Sequence, residues 1–379
     1  MNNSQNNIKA LYIHIPFCSS VCSYCDFYKM RAKPETISKY IDYLIKEMAF
    51  WKDYYAQIET IYIGGGTPSI LSAFLLEKLF NALQTHLDLT KIKEFTFEAN
   101  PNDISNELII LLKRYHINRL SLGIQSFNNA KLKVLGRTHQ QADAVKALEI
   151  CQQNDFNNVN VDLIFGLPYE NWRILKNDFH LAIKHGAKHI SLYSLILEDK
   201  TFLSYLHKQN KFEEMDEVKQ AFLYEKAQAF MNDHSFVQYE ISNFSLNGYQ
   251  SLHNLTYWNN DEYLGLGASA SYYVNGVRYT NIKNLESYFQ GIDQKKPVFD
   301  EVTPLSRLDQ MREHLMLGLR KTLGVNTISF KKRYQDDILT IFPVINDLIT
   351  KKMLILQNDQ LFIPKDKLFV SNEVLVQFF

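Results

Sequence analysis

Cysteine, proline, glycine and tryptophan are all scarce in this 379-residue chain, which holds 4, 9, 14 and 3 of them respectively. So little glycine and proline excludes a collagen-like repeat, and four cysteines in a chain this long cannot build a disulfide framework. An excess of one charge is lacking too, because Lys+Arg and Asp+Glu balance at 41 each. No global field recruits nucleic acid or an anionic membrane, so no nucleic-acid partner is expected. No apolar run approaches the roughly 20 residues of a membrane helix, and the start MNNSQNNIKA lacks the basic-then-apolar pattern of a signal peptide. The expectation from these absences is a cytoplasmic protein. What is present is ordinary: 46% apolar and 22% charged residues describe a folded globular chain, neither disordered nor coiled-coil. At roughly 100–200 residues per domain, the length suits one large domain with a small one, or two comparable ones.

From Leu11 to about Leu195, short β-rich runs alternate with longer helical stretches. The expected strands are Leu11–Ile15, Ile61–Ile63, Glu94–Glu98, Arg119–Gln125, Val159–Phe165 and His189–Leu195. Between them lie helical patterns over Glu35–Tyr55, Ala73–His86, Asn106–Tyr115, Gln140–Gln153 and Trp172–His185, with Ser72 and Ser105 placed as caps. Six strands joined by helical crossovers give a parallel sheet, either doubly wound or a partial barrel, within an α/β class. Both alternatives put ligands at the carboxyl ends of the strands. After Leu195 come a helical stretch near Asp216–Asp233 and an irregular, Asn- and Tyr-rich segment over Tyr239–Tyr279. A polar linker near Gly291–Thr303 precedes helices near Asp309–Lys321 and Pro343–Lys351 and an alternating Met353–Ile363. The division expected is a barrel over 1–195, a capping extension over 196–296, and a small helix-rich, winged-helix-like domain over 297–379.

The chemistry-bearing residues follow the strands. Three of the four cysteines, Cys18, Cys22 and Cys25, crowd into eight residues after the first strand. Thiolates are soft ligands for zinc or an iron–sulfur cluster, and closed sites of either kind want four protein ligands. Three cysteines would hold a [4Fe–4S] cluster with one iron open to a small molecule, while a zinc site completed by a distant histidine is the alternative. Gly64-Gly65-Gly66-Thr67-Pro68 follows the second strand and reads equally as a tight turn or as a ligand cradle. It has neither the lysine of a P-loop nor the spacing of a dinucleotide fingerprint. Glu98, Gln125, Arg137 and Asp162 complete the rim, and a charge such as Asp162 inside an apolar strand is costly unless paired or ligand-bound. An ion pair of Asp162 or Glu98 with Arg137 is the plain alternative to a ligand site.

Tyr12-Ile-His-Ile-Pro-Phe-Cys-Ser-Ser-Val-Cys-Ser-Tyr-Cys-Asp-Phe27, together with Gly64-Gly-Gly-Thr-Pro68, resembles the radical S-adenosylmethionine (SAM) superfamily, in its branch of oxygen-independent coproporphyrinogen III oxidases and their relatives. The resemblance runs from Tyr12 into the C-terminal domain. It implies a partial (β/α)6 barrel, a [4Fe–4S] cluster on Cys18, Cys22 and Cys25, and SAM chelating the open iron. It also implies that Tyr12 and Tyr24 flank the SAM site, that Gly65, Gly66 and Thr67 line its methionine end, and that Glu98, Gln125, Arg137 and Asp162 are further SAM-contacting positions.

Two departures separate this chain from the oxidases. Phe27 stands where they carry a fourth cysteine, and only eleven residues precede Tyr12. Both match the heme chaperone HemW subfamily, as does His253-Asn-Leu-Thr-Tyr-Trp258, which is similar to its HNxxYW signature. A neutral imidazole can ligate heme iron and aromatic faces can cover a macrocycle, so the resemblance implies that His253 binds heme. The function it implies is a cluster- and SAM-binding heme chaperone that passes heme to an acceptor, such as a membrane-bound respiratory protein, with an electron donor for the cluster. The alternative is oxidative decarboxylation of coproporphyrinogen III to protoporphyrinogen IX.

Overall fold

The computed structural model describes residues 8–379; the Met1–Asn7 part of the polar start lies outside them. Six strands, β1 (Ala10–Ile15), β2 (Thr60–Gly65), β3 (Glu94–Ala99), β4 (Arg119–Gln125), β5 (Val159–Phe165) and β6 (His189–Ser194), pair in parallel in that order. Each crossover carries helix: α1 (Pro34–Phe50), α2 (Ala73–Gln84), α3 (Asn106–Arg114), α4 (Asn129–Val134) with α5 (Gln141–Gln153), and α6 (Trp172–Lys184). The side-chain period of two splits every strand. In β4, Leu120, Leu122 and Ile124 are buried in the core, whereas Arg119, Ser121, Gly123 and Gln125 line an internal cavity. Helix starts are fixed by polar caps: Ser72, Ser105 and Asn171 accept from the backbone N–H of Leu75, Leu108 and Ile174, each cap contributing about 1 kcal/mol.

The strand expectations for the barrel hold to within one or two residues at each end. The helix expected over Glu35–Tyr55 instead stops at Phe50, because Trp51 leaves the helical region (φ −103°, ψ 9°) and a short 3-10 turn takes Lys52–Tyr54. The segment Tyr239–Tyr279 is not irregular. After α7 (Phe202–Lys208) and α8 (Glu217–Asp233), the two-stranded pair β7 (Val237–Gln238) and β8 (Asn243–Ser245) extends the sheet antiparallel to β6. Then α9 (Leu252–Trp258) leads to β9 (Tyr263–Leu266), which pairs in parallel with the other edge, β1. Strands β10 (Ser271–Val274), β11 (Val277–Asn281) and β12 (Phe299–Pro304) continue outward, so twelve strands form one sheet. At the C-terminus, helices at Arg307–Gly318, Thr327–Tyr334 and Val344–Thr350 accompany a three-stranded sheet whose hairpin joins Ile355–Gln357 to Gln360–Phe362.

A buried ion cluster ties down the loops at the mouth of the barrel. Lys131 Nζ on α4 donates to Glu170 Oε1 at 2.5 Å, to Asp178 Oδ2 at 3.1 Å and to the Ile164 carbonyl at 3.0 Å. Glu170 also accepts from the N–H groups of Gly166 and Leu167, and Asp178 from the Phe127 N–H and the Ser126 hydroxyl. One cation thus joins the turns after β4 and β5. Replacing Lys131 with Ala strands two buried carboxylates and is expected to cost about 3–5 kcal/mol, read as a lower urea midpoint; an unchanged midpoint would refute the clamp.

Glu47 on α1 plays a similar part at the β1 edge. Its carboxylate accepts from the Gly267 N–H at 2.7 Å, Tyr288 OH at 2.6 Å and Asn281 Nδ2 at 3.1 Å, yet burial pushes its pKa up to about 7. Folding therefore favours the protonated form, and this contribution to stability is lost as pH rises from about 4.5 through about 7. Glu47→Gln is expected to make the fall in Tm between about pH 5 and about pH 7.5 shallower; an identical slope would exclude Glu47 as a contributor.

Candidate functional site

A cavity of about 350 Å³ opens at the carboxyl ends of the strands and runs down inside the barrel. Its wall includes Cys18, Cys22, Tyr24, Cys25, Gly65, Gly66, Thr67, Glu98, Gln125, Arg137 and Asp162. The sequence-expected rim is thereby gathered into one place, except for Tyr12 and His253. Tyr62 and Arg119 also line it; the period-two pattern of their strands was the available signal for both.

The cysteine loop is held by backbone bonds, Cys18 N to Met30 O at 3.0 Å, Ser23 N to Leu135 O at 3.1 Å and Leu203 N to Ser23 O at 2.9 Å. Cys18 Sγ lies 3.3 Å from Thr67 Oγ1, and Arg137 Nη1 donates to Cys22 Sγ at 3.2 Å. Arg137 Nη2 is fixed by Asn100 Oδ1 and the Gly123 carbonyl, both at 2.6 Å, while its Nε is buried without a partner. Burial pushes the Cys18 and Cys25 thiols up, and the charge of nearby Lys29 opposes this. Among the described residues no three His, Cys, Asp or Glu side chains converge on a single metal-ion position. Three thiols spread around a cavity, with a guanidinium on one sulfur and an orphaned donor beside it, fit a larger anionic metal–sulfur group. Cys18, Cys22 and Cys25 would hold it.

The glycine run behaves differently from a cradle of free amides. Gly65 N donates to Glu98 Oε2 at 3.1 Å, Gly66 N to Ile15 O and Thr67 N to Phe17 O, both at 2.8 Å. What glycine supplies is room: Gly65 has φ +111°, and a Cβ on Gly66 would stand 2.7 Å from the Phe17 carbonyl. Glu98 accepts from Tyr62 OH at 2.5 Å as well, and its pKa rises to about 7 through burial and then the charge of Asp162. Asp162 accepts from Ser121 Oγ at 3.0 Å and Asn160 Nδ2 at 2.8 Å, and burial pushes it up. Neither carboxylate forms an ion pair with Arg137 among the described residues, so the plain pairing expected as the alternative is absent. Gln125 ends β4 in the left-handed region (φ +67°), beside a shift in strand register. Such backbone persists where the surroundings enforce it, commonly at binding sites.

Residues 12–182 match the Radical SAM superfamily and residues 305–365 the HemN C-terminal domain. The heme chaperone HemW of Lactococcus lactis subsp. lactis (strain IL1403) is 39% identical, over 97% of this chain and 96% of that one. This chain belongs to the HemW family. The HemW heme chaperone of Bacillus subtilis (strain 168) is 36% identical, over 98% of this chain and 99% of its own length. Coproporphyrinogen III oxidase (HemN) from Escherichia coli has the same fold, with a TM-score of 0.84 over 98% of this chain and 90% of its own at 18% identity. Membership of the radical SAM superfamily implies a [4Fe–4S] cluster and SAM.

Against that HemW background two expected positions stand apart from the cavity wall. Tyr12 is not on the cavity wall, and its hydroxyl is engaged with His14 Nδ1 at 2.9 Å. His253 does not present its imidazole to any open space: its exposure is 0%, Nδ1 bonds Thr60 Oγ1 at 2.9 Å and Nε2 bonds Tyr257 OH at 2.7 Å. Burial lowers its pKa to about 3, so the ring is neutral. It packs 5.2 Å from the ring of Tyr62, which holds Glu98. A spacing argument cannot see this, because the same His-x3-Tyr interval suits an exposed ligand or an internal bond across one helical turn. No helix among the described residues is long and apolar enough to cross a membrane. His253→Ala removes two buried hydrogen bonds and leaves a void, which should cost about 2–4 kcal/mol in unfolding free energy; a variant as stable as the parent would show that the ring is not packed as described.

Proposed function

We propose that the protein is a heme chaperone that carries a [4Fe–4S] cluster on Cys18, Cys22 and Cys25, binds SAM beside it, and passes heme to an acceptor protein. The observation that carries the reading is one cavity wall shared by three cysteines, the Arg137 guanidinium on Cys22 and the Glu98–Tyr62–Gly65 pocket, in a chain alike over its whole length to named heme chaperones. When bound, a cluster of this kind supplies one electron at low potential to SAM. The protein's own residues do the rest. Arg137 balances thiolate charge, Thr67 steadies Cys18, and Glu98 and Asp162 present carboxyl oxygens to the amino and hydroxyl groups of a SAM molecule. Gln125 and Tyr24 complete that wall.

Support for a large flat cargo comes from the mouth. Phe27 is 71% and Ile196 65% exposed on the cavity rim, with Tyr193 beside them, and the neighbouring Phe202 and Tyr205 are stacked and exposed. Apolar surface of this kind on a water-facing rim suits the face of an acceptor protein and the passage of an apolar cargo into the cavity behind it. In this reading His253 packs behind the wall residue Tyr62, and heme iron meets it only if Thr60 and Tyr257 release the ring. The acceptor, an electron donor for the cluster, and a cytoplasmic site of action with the acceptor at the membrane belong to the same proposal.

The second reading is the oxidase, favoured by the fold shared with coproporphyrinogen III oxidase. An anaerobic assay of the reconstituted protein with SAM, reductant and coproporphyrinogen III, beside a heme titration followed by absorbance, separates them. Heme binding with no protoporphyrinogen IX is the expected result; formation of protoporphyrinogen IX would overturn the chaperone reading. Cys22→Ala should abolish the cluster's visible absorbance, and full retention would refute the ligand set.

A further inference from the structure

Barrels of parallel strands are ordinarily filled by branched apolar side chains. Here the lower half of the barrel is polar, with Thr96, Ser121, Asn160, His189 and Ser191 facing the cavity. At its floor sits Arg119, the first residue of β4, with 2% exposure. Its Nη1 is fully used, donating to Asn158 Oδ1 at 3.0 Å and to the Tyr249 carbonyl at 2.9 Å. Its Nε and Nη2 donate to nothing among the described residues, and neither is sealed off from the cavity that the side chain lines.

The acidic groups around Arg119 are committed elsewhere. Glu94 on the adjacent strand accepts from Ser251 Oγ, from the N–H groups of Leu252 and His253, and from Thr96 Oγ1. Asp162 feels the charge of Arg119 but takes its hydrogen bonds from Ser121 and Asn160. His189 is neutral, its pKa driven well below the usual value by burial, with both nitrogens held by Asn160 and Tyr239. The result is a desolvated guanidinium with a free two-donor edge and no ion pair, an arrangement that is costly unless an anion completes it. A planar pair of N–H donors matches a carboxylate.

We infer that the barrel floor is a carboxylate subsite in which the Nε and Nη2 edge of Arg119 takes a propionate of the tetrapyrrole cargo, with the Asn254 amide on the same wall. The inference rests on the heme reading above. Two carboxylates could reach this cavity, that of SAM and that of a tetrapyrrole. In the reading above SAM chelates the open iron beside the three cysteines, which commits its own carboxylate at the rim, whereas the floor lies about 20 Å along β4 from Gln125; the carboxylate left for Arg119 is the tetrapyrrole's.

The test compares heme with its dimethyl ester, in which both propionates are masked, by titration into the cluster-reconstituted full chain. The parent should bind the ester at least about tenfold more weakly, the worth of one charge-assisted contact. Arg119→Gln should bind both ligands alike, to within about twofold, with SAM binding and cluster absorbance unchanged; Arg119→Lys should keep part of the preference. Equal affinities in the parent would overturn the inference and leave the heme reading standing, a comparison that needs no variant to fold. Discrimination that survives in Arg119→Gln, or a loss of SAM binding in its place, would also overturn it. No heme binding by the parent would remove the functional reading itself.

Discussion

A barrel with a polar interior can exist only if each inward-facing polar group finds a partner, since a buried group without one costs about 1–3 kcal/mol. That constraint organises this molecule. Tyr12 bonds His14, whose other nitrogen meets the Tyr28 carbonyl. Thr60, His253 and Tyr257 form a second chain, and Tyr62, Glu98 and Gly65 a third. Ser121, Asp162, Asn160, His189 and Tyr239 make a fourth that crosses three strands. On the cavity wall two guanidiniums are left incomplete among the described residues, Arg119 at the floor and Arg137 at the rim. A buried cation left incomplete is the costliest of such unmet groups, which is why these two guanidiniums point to a ligand.

The rim needs a different kind of support, because loops have no ladder of hydrogen bonds to fix them. Lys131 supplies it from α4, reaching the turns after β4 and β5 together. Leu135, at the end of the same helix, packs with Ile164 and Leu167, and Tyr24 of the cysteine loop lies against that group. The backbone bond from Ser23 N to Leu135 O completes the connection. The thiol loop is therefore positioned from behind by an apolar contact whose own position is set by a buried ion cluster.

Much of this was legible in the sequence, and what was not has physical reasons. The six barrel strands could be read because their apolar runs are long enough for periodicity to show, and the rim residues because they follow those strands. The edge strands β7 to β11 could not, since two- to five-residue strands rich in Asn, Tyr and Gly carry no period. Helix α4 is only six residues long and was missed, along with the structural part played by Lys131. His253 was visible as a motif, but whether an imidazole faces a cavity or a tyrosine hydroxyl is decided by the neighbouring strand, through Thr60 and Tyr62. Arg119 was hidden for the opposite reason: it begins an apolar strand, where a charge looks like a boundary and not like an interior group.

The sheet's two edges have unequal histories. Strand β6 meets β8 some fifty residues later, but β1 waits for β9, roughly 250 residues down the chain. On a ribosome β1 is made first and covered on its outer side last. Through most of synthesis the strand that leads into the cysteine loop offers an unpaired row of N–H and C=O groups, a template for wrong pairing. Its outermost part, Ala10–Ile13, pairs only once Tyr263–Leu266 has emerged, so a chain truncated before that point would carry all three thiols on an unfinished wall.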